Sequence, residues 1–385
     1  MNNLRALFSL DPDVVFLNHG SFGATPLPVL EVYQQWQQRL ERQPVRFLAT
    51  ELPDLLAEAR TTLADYVGAA ASDVAFIPNA TFGVNLIARS LPLGPGDEVL
   101  TTDHEYGACD NVWTFLSQKQ GFSYKKQPVP LPIQSPDEVV DQFWQGVTDR
   151  TRVIFISHIS SATAVTFPIA QICARARQAG ILTIVDGAHT VGQIPLDMAA
   201  IDADFYLSNA HKWLCSPKGS AFMYARHELH HLLEPLVVSW GWGENKQFSY
   251  GSNLLDYLQW MGTGDPSAYL AVPAAIAFQQ EHHWPDIRRQ CHELLRQAVT
   301  RIGDLTGLES PCPDDSYYHQ MAVAPLPAIP DLVAFKARFY DTYRVEVPFT
   351  EWNGRQFVRI SVQGYNSSSD IDALVDALNE QFFAP

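Results

Sequence analysis

The sequence predicts an α/β fold, with a mainly parallel sheet in a large domain followed by a small α+β domain at its C-terminal side. Three observations carry this expectation. Short apolar runs alternate with helical stretches as far as Tyr224, a pattern that builds parallel sheets covered on both faces. Several of the runs end in polar residues, where open α/β sheets bind ligands. After Ser267 the pattern changes to long helices and then closely spaced strands, and 385 residues exceed one simple core.

The elements follow in order. Residues 1–27 read as an N-terminal arm that joins the smaller domain and the site. From 28 to 67 the spacing predicts helix, with Val29, Val32, Tyr33, Trp36 and Leu40, then Leu55, Leu56, Ala59, Leu63 and Tyr66, on buried faces. Gly68 ends it. Strands are expected at Val74–Ile77, Glu98–Thr101, Val153–Ser157, Leu182–Val185, Phe205–Leu207 and Ala221–Tyr224, with helices between them such as Glu138–Gly146 and Ala170–Gln178. The large domain runs over 28–266. A long helical pattern from Ser267, resuming through Ile287–Ile302, bridges to the smaller domain, so that 267–385 form the last unit. In it, Gln320–Ala324, Arg344–Val347 and Phe357–Val362 read as strands, Asp331–Tyr343 and Ser369–Phe382 as helices, and PLPAIP at 325–330 as a connecting loop.

Composition narrows the function classes. A formal net charge of −16 with no visible basic patch disfavours nucleic acid as a partner. Five scattered cysteines, without a C-x-x-C pair, suggest neither a disulfide framework nor a zinc site and fit a reducing cytoplasm; no metal is expected. No run approaches the roughly 18 apolar residues of a membrane span, so no membrane association is expected either.

The chemistry concentrates in residues 181–225. A buried apolar strand ends at Asp186, and a second strand leads to Lys212, flanked by His211 and Trp213. Singly, an aspartate before Gly187 is a turn former and a lysine is a surface charge. Together they suit a pyridine aldehyde: a carboxylate keeps the ring nitrogen protonated, and a lysine forms an imine and then moves a proton. Upstream, Asn79-Ala80-Thr81 joins a strand to a helix, where exposed N–H groups and the helix dipole favour an anion.

These motifs resemble the class V aminotransferase family of fold-type-I pyridoxal 5'-phosphate (PLP) enzymes. LNHGSFGATP at 17–26, PNATFGVN at 78–85, DHEYGACDN at 103–111, SHISSATAVTFPI at 157–169, DGAHTVGQIPLD at 186–197, NAHKW at 209–213, MGTGDPSAY at 261–269 and VRIS at 358–361 follow the family's order. The nearest subgroup is the isopenicillin N epimerase-like proteins, which share LNHGSFG, HISSAT and NxHKW. The resemblance implies the aspartate aminotransferase-like fold of PLP-dependent transferases, with a seven-stranded, mainly parallel sheet. It implies PLP as cofactor, an amino acid as small-molecule substrate, and a homodimer with shared active sites.

It also implies roles. Lys212 would hold the cofactor as a Schiff base and Asp186 its ring nitrogen; Ala80, Thr81, Asn209 and His211 would hold its phosphate, joined by Thr263 from the neighbouring subunit. Tyr106 would stack over the ring and His189 face its phenolic oxygen. Arg359 would bind the substrate carboxylate, with Asn18, His19 and Gly20 closing the pocket and Arg46 contacting a distal group. The stretch RVEVPFTEWNGRQFVR at 344–359 carries no cysteine, which disfavours a persulfide-forming desulfurase. Epimerisation at Cα is the favoured reaction, with C–S elimination and transamination left open; a non-catalytic relative would be expected to lack Lys212 or Asp186.

Overall fold

In the computed structural model, which describes residues 4–247 and 249–383, the central apolar runs become strands buried on both faces, joined by shorter or more exposed ones. In chain order these are β1 (Val15–Phe16), β2 (Val74–Ile77), β3 (Glu98–Thr102), β4 (Ser123–Gln127), β5 (Thr151–Ser157), β6 (Leu182–Asp186), β7 (Phe205–Ser208) and β8 (Ala221–Ala225). The C-terminal part adds β9 (Met321–Leu326), β10 (Val345–Glu346), β11 (Phe349–Trp352) and β12 (Arg355–Ser361). Seven of them form one sheet in the order β2-β8-β7-β6-β5-β3-β4. All neighbours are parallel except β8, which is antiparallel to both β2 and β7.

Alternation along each strand loads both faces. On β5, Val153 and Phe155 join one apolar cluster while Ile154 and Ile156 join the other; on β7, Phe205 and Leu207 oppose Tyr206 in the same way. Each such fully buried large side chain contributes about 1.5–3 kcal/mol. Helices Ala80–Ser90 and Gly107–Gln120 cover the first face, and Ile169–Gln178 covers the second. The ends of β5, β6 and β7 bring Ser157, Asp186 and Ser208 to a common edge.

The sequence expectations need four corrections. The 28–67 helix is broken: helix Leu27–Arg42 stops at Gln43, a short segment with Pro44 in its first turn and a wide turn over Phe47–Glu51 follow, and Leu52–Val67 ends on Gly68 in the left-handed conformation. The helix expected at Glu138–Gly146 starts earlier, at Pro136, because the Ser135 hydroxyl accepts the Glu138 N–H as an N-cap, and it ends at Trp144. Pro325 and Leu326 belong to β9 rather than to a loop. The run Arg344–Val347 yields only β10, which pairs in parallel with β1 of the arm, Val15 opposite Val345 and Phe16 opposite Glu346. The three-stranded C-terminal sheet is antiparallel in the order β11-β12-β9 and is backed by helix Trp284–Thr306, on which helix Ser368–Phe383 packs in turn.

The arm is therefore stitched to the end of the chain. Leu4 N–H donates to Gly364 O, Asn18 and Ser361 form an isolated bridge, and Ser361 N–H donates to Leu17 O at 2.8 Å. Beyond that point the arm passes under the lysine loop. Gly23, at φ +71°, is so close that a Cβ there would sit 2.0 Å from His211 O.

Candidate active site

The strand ends, the arm and β12 enclose a cleft of about 510 Å³. Its walls include Gly20, Ala80, Thr81, Tyr106, Asp186, His189, Asn209, His211, Lys212 and Arg359. Asn18, His19, Arg46 and Thr263 are not among them. His19 lies behind the wall: its Nε2–H donates to Lys212 O at 2.9 Å, and its Nδ1 accepts from the Tyr365 hydroxyl at 3.0 Å. Asn18 donates to Glu346 at 2.9 Å. Arg46 pairs with Glu51 at the surface, and Thr263 is exposed.

Lys212 sits in a tight turn. Its own O accepts the Cys215 N–H at 3.0 Å, Ser216 N–H closes back to Ala210 O at 3.1 Å, and Cys215 takes a φ of +63° to make the reversal. The amine Nζ is 3.2 Å from His189 Nε2. Burial, with the Arg359 charge adding to it, lowers the lysine to about 8, against the pull of Asp186. Asp186 is buried at the end of β6, where its Oδ1 accepts Ala188 N–H at 2.9 Å and its Oδ2 faces the Cys109 thiol at 3.6 Å. Burial raises its pKa, while the Ala188 N–H and Lys212 favour the carboxylate; a ring N–H arriving at Oδ2 would add to that side.

Behind Asp186, Glu105 binds the ends of two strands together. One oxygen accepts the Thr102 hydroxyl at 2.6 Å, the other the Ser157 N–H at 2.9 Å and its hydroxyl at 2.6 Å. Burial nonetheless raises this carboxyl to about 8.

At the other end of the cleft, helix Ala80–Ser90 starts with Asn79 as N-cap, accepting Phe82 N–H, while Asn209 Oδ1 accepts Ala80 N–H at 2.9 Å. Thr81 is the second residue of this helix, so its N–H has no acceptor within the helix. His211 Nδ1–H donates to Ser220 O at 2.9 Å, and burial lowers the ring to about 4. The free N–H and hydroxyl of Thr81 and the Asn209 amide can receive a phosphate, and a phosphate there would favour a second proton on His211, at Nε2.

Arg359 faces the cleft from β12 and is 5% exposed. It donates to Ser161 O at 2.7 Å, to the Ser161 hydroxyl at 3.2 Å and to the Ser21 hydroxyl at 3.0 Å. Its Nε is buried with no partner, and no carboxylate among the described residues pairs with it. An unpaired buried guanidinium is costly unless an anion completes it. Tyr106 caps the helix Gly107–Gln120 and is 48% exposed at the cleft wall. Sequence reasoning singled out neither Ser21 nor Ser161, which orient Arg359, because small hydroxyls have no spacing signature; Trp213 stood beside Lys212 in the motif, but its indole bond to His189 Nδ1 at 3.3 Å has none either. A separate grouping of Asp73, His227 and His230 lies at the opposite end of β2 and β8. There His230 Nε2–H donates to Ala225 O and His227 to Asp73, so these side chains already serve one another and the backbone.

Comparisons with known proteins bear on the family and the fold. The family model "Aminotransferase class-V" matches residues 16–327. The chain is 36% identical, over 98% of each sequence, to an isopenicillin N epimerase of Amycolatopsis lactamdurans. It is 29% identical to a probable chloroplastic L-cysteine desulfhydrase of Arabidopsis thaliana, covering 96% of this chain and 83% of that one. Among solved structures, a C-DES variant with glycine covalently linked to the PLP cofactor superposes with a TM-score of 0.83 at 19% identity, covering 97% and 98% of the two chains.

Proposed function

The chain belongs to the aminotransferase class-V family and is a PLP-dependent enzyme, and from that premise we propose that it epimerises an amino-acid substrate at Cα. The observation that carries the reading is Arg359, a buried guanidinium with an unpartnered Nε facing the same cleft as Lys212. That arrangement suits a substrate with a carboxylate at one end and an amine at the reacting end. When bound, PLP supplies an aldehyde for attachment to Lys212 and an electron-withdrawing ring.

The residues then divide the work. Thr81, Ala80, Asn209 and His211 would hold the phosphate at the helix N-terminus, Asp186 would keep the ring nitrogen protonated, and His189 would stand on the side of the phenolic oxygen. Ser161 and Ser21 aim Arg359 at the substrate carboxylate, and Gly20 closes the cleft on the side of the arm. Lys212 Nζ, its proton affinity lowered to about 8, carries the Cα proton on its side, near the pH at which proton transfer is efficient. The hydroxyl of Tyr106 would carry it on the other, and its ring would cover the cofactor. Asn18 and His19 act from behind, by fixing the arm and the lysine loop. In this reading 28–266 form the cofactor-binding domain and 267–385 the smaller one. Thr263 and Arg46, outside the cleft of their own chain, enter only through a second copy in a homodimer.

A second reading, elimination across a C–S bond, is supported by the desulfhydrase relative. All five cysteines are buried, so sulfide would leave free rather than on an enzyme thiol. Incubation with L- and D-amino acids in deuterated water separates the reactions. Deuterium at Cα with loss of configuration is expected. Pyruvate, ammonia and sulfide would replace epimerisation by elimination, and acceptor-dependent keto acid would replace it by transamination. Borohydride reduction should leave the cofactor on the peptide that carries Lys212.

A further inference from the structure

We propose that Trp213 is a positioning residue that decides which nitrogen of His189 carries the proton, and thereby keeps an N–H pointed at the Lys212 amine. The proposal rests on the reading of Lys212 given above only for its consequence in cofactor attachment.

An indole nitrogen is a donor and never an acceptor. Trp213 is fully buried, and its Nε1–H meets His189 Nδ1 at 3.3 Å. In the neutral ring one nitrogen accepts and the other donates. Because Nδ1 accepts, the proton belongs on Nε2. That nitrogen lies 3.2 Å from Lys212 Nζ, so its N–H points at the lone pair when the lysine is an amine and opposes the ammonium when it is not, which disfavours the charged form. The chain of donors thus runs Trp213 to His189 to Lys212.

Neither ring is free to turn the chain around. Trp213 is adjacent in sequence to Lys212, its ring packs 5.1 Å from that of His19, and its carbonyl accepts Gln279 Nε2 at 2.8 Å. The His189 carbonyl accepts Gln193 Nε2 at 2.5 Å. A second proton on His189 would set Nδ1–H against the indole N–H. The groups that act electrostatically on the ring are Lys212, Arg359 and His211, all of which also disfavour a second charge, and burial pushes His189 well below the ordinary histidine range. Asp186 acts on the lysine instead, in the opposite direction.

The test uses full-length protein labelled with ¹⁵N-histidine, with and without added PLP, and His189 assigned by comparison with His189→Gln. The expected result is an Nε2–H tautomer that does not titrate between about pH 5 and 8, where an ordinary histidine does. An Nδ1–H tautomer, or titration near the ordinary value of about 6.5, would overturn the proposal, and the only variant this measurement uses is His189→Gln, for assignment. In Trp213→Phe the ring should become a mixture of tautomers. The pH midpoint for the appearance of yellow protein on adding PLP should also rise, slowing attachment near neutral pH about three- to tenfold, the equivalent of half to one pH unit. An unmoved tautomer and midpoint in a folded Trp213→Phe protein would also overturn it. Borohydride fixation at another lysine would instead remove the Lys212 reading and leave the His189 result standing.

Discussion

At the scale of single residues, Lys212 is kept reactive at the expense of stability. Its folded value of about 8 lies below the roughly 10.4 of an unfolded lysine. Between those values the unfolded chain holds a proton that the folded one lacks, so stability rises with pH across that window, and below pH 8 the full penalty is present. Lys212→Met is therefore expected to stabilise the cofactor-free protein at pH 7, by an amount on the order of 1–3 kcal/mol, with the gain fading as pH approaches 10.5. Thermal melts of both proteins across pH 6–11 check this, and a constant difference would contradict it. Lys212 and Asp186 were legible in sequence because each follows a buried apolar strand. Arg46 and Thr263, carried over by resemblance alone, lie outside the cleft, and nothing in their local sequence distinguishes a surface position from a wall.

At the scale of elements, the sheet holds its reactive edge together through Glu105. Its carboxyl joins Thr102, the last residue of β3, to Ser157, the last of β5. Glu105→Ala would leave the buried Ser157 N–H and two hydroxyls without acceptors, and should cost about 2–4 kcal/mol, read as a lower urea midpoint at unchanged slope. A cost below about 0.5 kcal/mol would mean the carboxyl is not a tie. The central strands were readable because parallel strands buried on both faces are nearly all apolar. The sequence SYKKQ of β4 gave no such signal: it is an edge strand, with Lys125 neutralising the buried Glu98 at 2.7 Å and Lys126 pairing with Asp110. The orientation of β8 was equally hidden, since an apolar run reads the same in either direction. β11 escaped notice because FTEW buries only its first and last residues.

At the scale of the whole molecule, several large apolar side chains stay uncovered in one chain. Phe22 is 73% exposed, Val238 65%, Trp242 56% and Trp240 53%. Exposed aromatic groups of this kind mark interaction surfaces, and they accompany the proposed homodimer. Sedimentation should give roughly twice the 43.0 kDa of one chain, and Trp240→Ser with Trp242→Ser should lower it. A monomer of full activity would rule out shared active sites. Among the described residues no helix is long and apolar enough to cross a membrane.

The pairing of the arm with the last strands has a consequence in time. A chain emerges N-terminus first, so Val15, Leu17 and Asn18 leave the ribosome long before Val345 and Ser361, their partners, exist. Until those arrive, the arm that carries His19 and Gly23 meets the Lys212 turn without the strand pairing that holds it from behind. The reactive amine is thus fully supported only after residues 345–361 have been made, and a chain stopped before them would expose a poorly supported lysine rather than a half-working enzyme.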